Sequence, residues 1–242
     1  MILFLGCSLT WGQGLQIEKW ISEGKSFQFC NNNAVPGYFA EHMNYEDDEF
    51  RKSKSYPNLV AKELNVSYST KWGNGGSNDE ILFIIENLDK LICPDGIELI
   101  VIQFTDMCRD DMFQYSYKNN FYDLLEIHVK NQISKIDYAL SNVWNRNIPW
   151  VSLCWHEEQS KFLKEKYPKN FIKLNYNNKE FDDIHSLNQY GKNNGSMFEL
   201  SDKYDGINDG HPTIKWHSII SSSIIKKIKD ENISFTTYDM ND

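Results

Sequence analysis

Residues Ile97 to Phe104 read Ile-Glu-Leu-Ile-Val-Ile-Gln-Phe, a β-branched, apolar run that follows the turn signal Pro94-Asp95-Gly96. A run of this kind is buried on both faces, as central strands of parallel sheets are. It therefore requires covering helices on either side, and the flanking sequence supplies them. After it, Leu124, Leu125, Val129, Ile133, Ile136, Leu140 and Val143 recur at helical spacing, and Ile148 to Cys154 reads as another strand. Before it, Tyr56 to Leu64 predicts a helix with Pro57 in its first turn, and Val66 to Trp72 alternates as a strand. Ser77 or Asn78 can then cap a helix running to Leu91. Met1 to Leu5 is a short apolar strand stopped by Gly6. Strands alternating with helices specify an α/β protein with a parallel sheet covered on both faces.

The rest of the chain is weaker in pattern. Gly12 to about Ser55 reads as polar and irregular, with at most one short helix. Beyond Trp155 the pattern predicts a helix near Gln159 to Tyr167, a strand at Phe171 to Leu174, a polar stretch to Gly210 and a last helix from Pro212 to Ile228. We expect one domain over residues 1–242, with long loop insertions near 13–55 and 155–208. A chain of 242 residues buries roughly 70–75% of its unfolded surface, enough for one sizeable core.

Charge and cysteine usage exclude several function classes. With 25 Lys+Arg against 34 Asp+Glu, the formal charge is −9. No dense basic block offsets it, so nucleic acid is not an expected partner. No run approaches the roughly 18–20 apolar residues of a membrane helix. No basic, apolar leader precedes Glu18 and Lys19. The five cysteines, Cys7, Cys30, Cys93, Cys108 and Cys154, form no CxxC pair and are read as reduced thiols. A cytoplasmic protein with no cofactor and no metal is expected.

In open parallel sheets, reactive groups collect beyond the carboxyl ends of strands. Four places stand out: Cys7-Ser8, Gly75-Gly76 and Thr105-Asp106 after strands, and Asp209-Gly210-His211 before the last helix. Together they offer a serine nucleophile, a histidine base and backbone donors at a glycine turn. Taken singly, each has an ordinary explanation. Ser8 could be a turn residue, Cys7 a small buried hydrophobe, and His211 a loop histidine before a helix. His217, six residues on, falls on another helical face and reads as structural or surface. Cys154-Trp155-His156-Glu157-Glu158 lacks the ligand count for a metal, and Gly12 and Gly14 do not complete a phosphate loop.

Gly6-Cys7-Ser8-Leu9-Thr10-Trp11-Gly12 resembles block I of the SGNH (GDSL-type) hydrolases. Asn74-Gly75-Gly76-Ser77-Asn78 resembles block II, Gln103-Phe104-Thr105-Asp106 stands at block III (Gly-x-Asn-Asp), and Asp209-Gly210-His211-Pro212 resembles block V. The resemblance implies a three-layer α/β/α sandwich of flavodoxin-like type, with a mostly parallel five-stranded sheet. It implies a serine esterase in which Ser8 attacks, His211 takes the proton and Asp209 orients the imidazole. Ser8 N–H, Gly75 N–H and the Thr105 side chain would face the oxyanion. The sequence departs from the pattern at Cys7, where block I has Asp, and at Thr105, where block III has Asn. At the usual Asp-x-x-His spacing stands Asn208, which leaves Asp209 and Asn208 as alternatives for orienting His211. Trp11, Asn78 and Trp155 are candidates for the substrate wall. The expected substrate is an acyl ester, most plausibly acetyl, of a carbohydrate or other small polar compound. The alternatives are a glycan-binding protein without catalysis and acyl transfer by Cys7.

Overall fold

The computed structural model describes residues 1–24, 43–71, 76–91, 96–106, 121–203 and 210–235, with the backbone alone for 121–126 and 144–145. Four parallel strands, β1 (Ile2–Leu5), β2 (Tyr68–Lys71), β3 (Leu99–Gln103) and β4 (Trp150–Leu153), form a sheet in the order β2-β1-β3-β4. The fifth position is a single parallel bridge. Ser152 N–H donates to Asn170 O and Ile172 N–H to Ser152 O, both at 2.8 Å. The chain then leaves the sheet for an antiparallel hairpin, β5 (Leu174–Tyr176) and β6 (Lys179–Phe181). Its turn residues Asn177 and Asn178 both have positive φ, 49° and 60°, as a tight hairpin turn demands.

Alternation along the strands divides the core into two layers. Ile2, Phe4, Leu99, Val101, Val151 and Leu153 face one side, against Tyr56 and Val60 of a helix at Tyr56–Leu64 and Trp216, Ile220 and Ile224 of one at Ile214–Asp230. Leu3, Leu5, Ile100 and Ile102 face the other, against Ile81 and Ile85 of a helix at Asn78–Glu86 and Ile136 and Leu140 of one at Phe121–Asn145. Burying each such side chain contributes about 1.5–3 kcal/mol. The result is the α/β/α sandwich with a parallel sheet that the pattern specifies.

Among the described residues the α-helices are, in chain order, α1 (Ser8–Trp11), α2 (Leu15–Ser22), α3 (Tyr45–Lys54), α4 (Tyr56–Leu64), α5 (Asn78–Glu86), α6 (Phe121–Asn145), α7 (Glu157–Lys166), α8 (Ile184–Asn193), α9 (Leu200–Lys203) and α10 (Ile214–Asp230). Of the two expected caps for α5, Ser77 is the one used. It accepts from Glu80 N–H at 3.3 Å while Glu80 Oε2 accepts from Ser77 N–H at 2.7 Å.

Both expected loop insertions hold regular structure. Within 13–55 lie α2 and α3; within 155–208 lie the hairpin, α7, α8 and α9. Helix α3 carries little apolar periodicity, and its order comes from charge. Asn44 and Asp47 form a capping box, acidic residues fill the first turn and basic ones the last, which complements the helix dipole. Lys19 of α2 pairs with Asp47 at 2.7 Å. Among the described residues, no helix is long and apolar enough to cross a membrane.

Candidate active site

Strand register sets the candidate residues side by side. Leu5 pairs with Ile102 and Gln103 with Leu153. Ser8 lies three residues past the end of β1 and Thr105 two past the end of β3, so both follow the carboxyl ends of adjacent strands. Trp155 and His156 follow β4 by two and three residues, as Thr105 and Asp106 follow β3. The His156 Nε2 to Asp106 Oδ1 distance is 3.1 Å. After β1 the sheet grows outward to β2 and then, beginning with β3, on the opposite side. Ser8 and Thr105 therefore flank the point where sheet growth reverses, the usual ligand crevice of an open α/β sheet.

Ser8 opens the single turn α1 and is 1% exposed. The turn closes through Trp11 N–H to Cys7 O at 3.1 Å and Gln13 N–H to Ser8 O at 3.0 Å. Gly12 and Gly14, with φ of 80° and 90°, adopt the left-handed conformation that reverses the chain into α2. Gly14 also makes room for His211: a Cβ there would lie 3.0 Å from His211 Cβ. The candidate base thus packs on the turn that follows the candidate nucleophile.

His211 precedes α10 and is held by backbone and by α2. Its carbonyl accepts from Leu200 N–H at 3.0 Å, and Thr213 N–H donates to Phe198 O at 2.8 Å. Thr213 occupies the N-cap, but its hydroxyl donates to Met197 O. Glu18 of α2 supplies the missing acceptor, taking Ile214 N–H on Oε1 at 3.1 Å. Its Oε2 pairs with Lys203 at 3.0 Å. One helix, α2, therefore links the Ser8 turn to the start of α10.

Thr105 is fixed by carboxamides. Asn78 Oδ1 accepts from Thr105 N–H at 2.9 Å, while Asn78 Nδ2 at 3.1 Å and Gln159 Nε2 at 3.2 Å donate to Thr105 O. Asn78, expected on the substrate wall, is fully buried and clamps Thr105 instead. Trp11 is half-buried, with the Arg51 guanidinium 3.9 Å over its ring, so one indole face is covered. Trp155 is half-buried. Gly75, Asn208 and Asp209 lie outside the described residues, as do Trp72, Cys30, Cys93 and Cys108.

His217 is fully buried in α10. Its Nδ1 accepts Tyr56 N–H at 3.2 Å and its ring stacks on Tyr56. Burial, with a smaller contribution from His211, lowers its pKa to about 3, so it stays neutral. Burial, then Asp183 and Asp182, pushes the Cys154 thiol up, which makes it inert. Among the described residues no three His, Cys, Asp or Glu side chains converge as a metal site.

Sequence reasoning passed over Gln103, Tyr56, Glu18 and Gln159. Gln103 carried a signal, being a carboxamide inside an otherwise apolar strand and fully buried, where it must find partners.

No family model matches the sequence, and no curated protein matches it. Among solved structures, the chain is similar to a lipolytic G-D-S-L family protein from Veillonella parvula, with 10% identity, a TM-score of 0.47 and coverage of 95% of this chain and 96% of that one. It is also similar to a family two carbohydrate esterase from Clostridium thermocellum, solved with cellohexaose, with 14% identity, a TM-score of 0.47 and coverage of 96% of this chain and 64% of that one. For an extracellular lipase from Streptomyces rimosus the identity is 11%, the TM-score 0.44 and the coverage 95% and 98%. The likeness is to GDSL-type lipolytic proteins and carbohydrate esterases. The α/β/α architecture itself rests on the strand order and two-layered core of this chain.

Proposed function

We propose that the protein is a serine esterase of SGNH type, with Ser8 as nucleophile and His211 as general base. The observation that carries this reading is the packing of His211 on the Gly12 to Gly14 turn that closes α1 behind Ser8, where sheet growth reverses. Ser8 Oγ adds to the ester carbonyl as His211 takes its proton. The imidazolium then protonates the departing alcohol, leaving an acyl-enzyme, and water activated by the neutral imidazole releases the acid. Ser8 N–H, Gly75 N–H and the Thr105 side chain are assigned to the oxyanion, and Asp209 or Asn208 to orienting His211. A polar, hydroxylated alcohol, with an acetyl group as the acyl part, suits an edge lined by Trp155, Asp106 and His156, the last two each about one-third exposed.

The test is intact-mass analysis after a fluorophosphonate probe, together with hydrolysis of an acetyl ester. One adduct on wild type, absent from Ser8→Ala, with hydrolysis lost in that variant, is expected. Full hydrolysis by folded Ser8→Ala would sink the assignment. Thr105 in place of a carboxamide donor favours a second reading, a glycan-binding protein without catalysis. Glycan binding with no adduct on wild type would select it.

A further inference from the structure

The turn that presents Ser8 has little of its own to hold it. It is four residues long, and its N-cap Cys7 makes no side-chain cap hydrogen bond. A lone helical turn is unfavourable, so its geometry must be imposed from outside. Cys7 and Thr10, three residues apart, share one face, and both end on Oε1 of buried Gln103 at the end of β3. The Cys7 thiol donates over 3.4 Å and the Thr10 hydroxyl over 3.1 Å. Gln103 Nε2 donates to Phe104 O at 3.0 Å, which fixes which end of the amide faces the turn. Gly6 is required beneath it, because a Cβ there would lie 1.9 Å from Thr10 Oγ1.

The protons in this network can be placed. Thr10 has one, given to Gln103, so at the 2.7 Å contact between Thr10 Oγ1 and Tyr56 Oη the phenol donates. Burial pushes the Tyr56 phenol up, so that proton stays. Tyr56 N–H in turn donates to His217 Nδ1. The groups from His217 through Tyr56 and Thr10 to Gln103 are neutral.

We propose that Gln103 is a positioning residue for Ser8, and that Cys7 and Gln103 act as one donor–acceptor pair that holds the turn. Cys7 is a position at which the chain departs from the block pattern, and it touches Gln103. A carboxylate at position 7 would face the Gln103 carbonyl oxygen, acceptor against acceptor. The pairing also commits the Cys7 thiol proton, which argues against Cys7 as a nucleophile. The proposal rests on the Ser8 reading.

The experiment measures the fluorophosphonate labelling rate of Ser8 against probe concentration, which separates the maximal rate from half-saturation. Cys7→Ser, which keeps a donor, should label within about threefold of wild type. Gln103→Leu and Thr10→Val should lower the maximal rate tenfold or more with half-saturation unchanged and unfolding still cooperative; a wild-type rate in both overturns the proposal. A wild-type protein that takes no probe would instead defeat the Ser8 reading. The pairing is then judged by urea unfolding of Cys7→Ala, Gln103→Leu and the double variant. Additive midpoint shifts overturn it, and a shared, non-additive loss supports it.

Discussion

His217 carries its ring into the core with Nδ1 engaged by Tyr56 N–H and Nε2 without a partner among the described residues. Since Nδ1 accepts, the proton sits on Nε2. The folded pKa of about 3 lies below the ordinary 6.5, so below 6.5 the unfolded chain binds a proton that the folded chain refuses. Stability is therefore full above that pH and falls by ~1.4 kcal/mol per unit as the pH drops toward 3. Between pH 7 and pH 5 the wild type should lose about 2 kcal/mol more than His217→Gln, whose carbonyl can still accept from Tyr56 N–H. Urea unfolding at the two pH values measures this, and equal losses would clear His217 of the effect. At this scale the sequence singles out candidates by their place, Ser8 and Thr105 after strands and His211 before the last helix. Gln103 and Tyr56 are not singled out, because a buried polar group shows its partner only once strand register is known.

Helix α2 does two jobs, following the Ser8 turn at one end and presenting Glu18 to α10. Glu18 is 8% exposed, and removing it leaves Ile214 N–H without its acceptor and Lys203 without this partner. Glu18→Ala should cost about 2 kcal/mol. It should also lower kcat ~10–100-fold through displacement of His211, with KM little changed. Steady-state kinetics on an acetyl ester would show it, and an unaltered kcat would mean that α10 is held without α2. Asn78→Ala frees Thr105 N–H and leaves Thr105 O to Gln159 alone, and should likewise lower kcat more than it raises KM. Helices α4, α5, α6, α7 and α10 were legible from apolar spacing and, for α5, from the Ser77-x-x-Glu80 cap. Helices α2 and α3 were not, since the first is short and bracketed by glycines and the second is stabilised by its charges.

Across the whole molecule, one sheet is shared by two apolar layers, so neither layer survives loss of the other. Trp150 lies in one and Trp216 in the other. Unfolding should run as a single transition, with near-ultraviolet circular dichroism, which reports these aromatic layers, coincident with the far-ultraviolet signal. Separated midpoints would instead reveal two independent units. Alternating strand and helix signals made this architecture legible, and of the strand expected at Phe171 to Leu174 a single parallel bridge at Phe171 joins the sheet. The supports of the two candidate catalytic groups also differ in electrical character. The links from Cys7 and Thr10 to Gln103 beneath Ser8 are between uncharged groups, while the brace behind His211 includes Glu18 and Lys203, the lysine side chain one-third exposed. Dissolved ions screen the second and leave the first alone. Concentrated brine therefore loosens the Glu18 brace behind His211 before it disturbs the Gln103 contacts beneath Ser8, and dilution restores it.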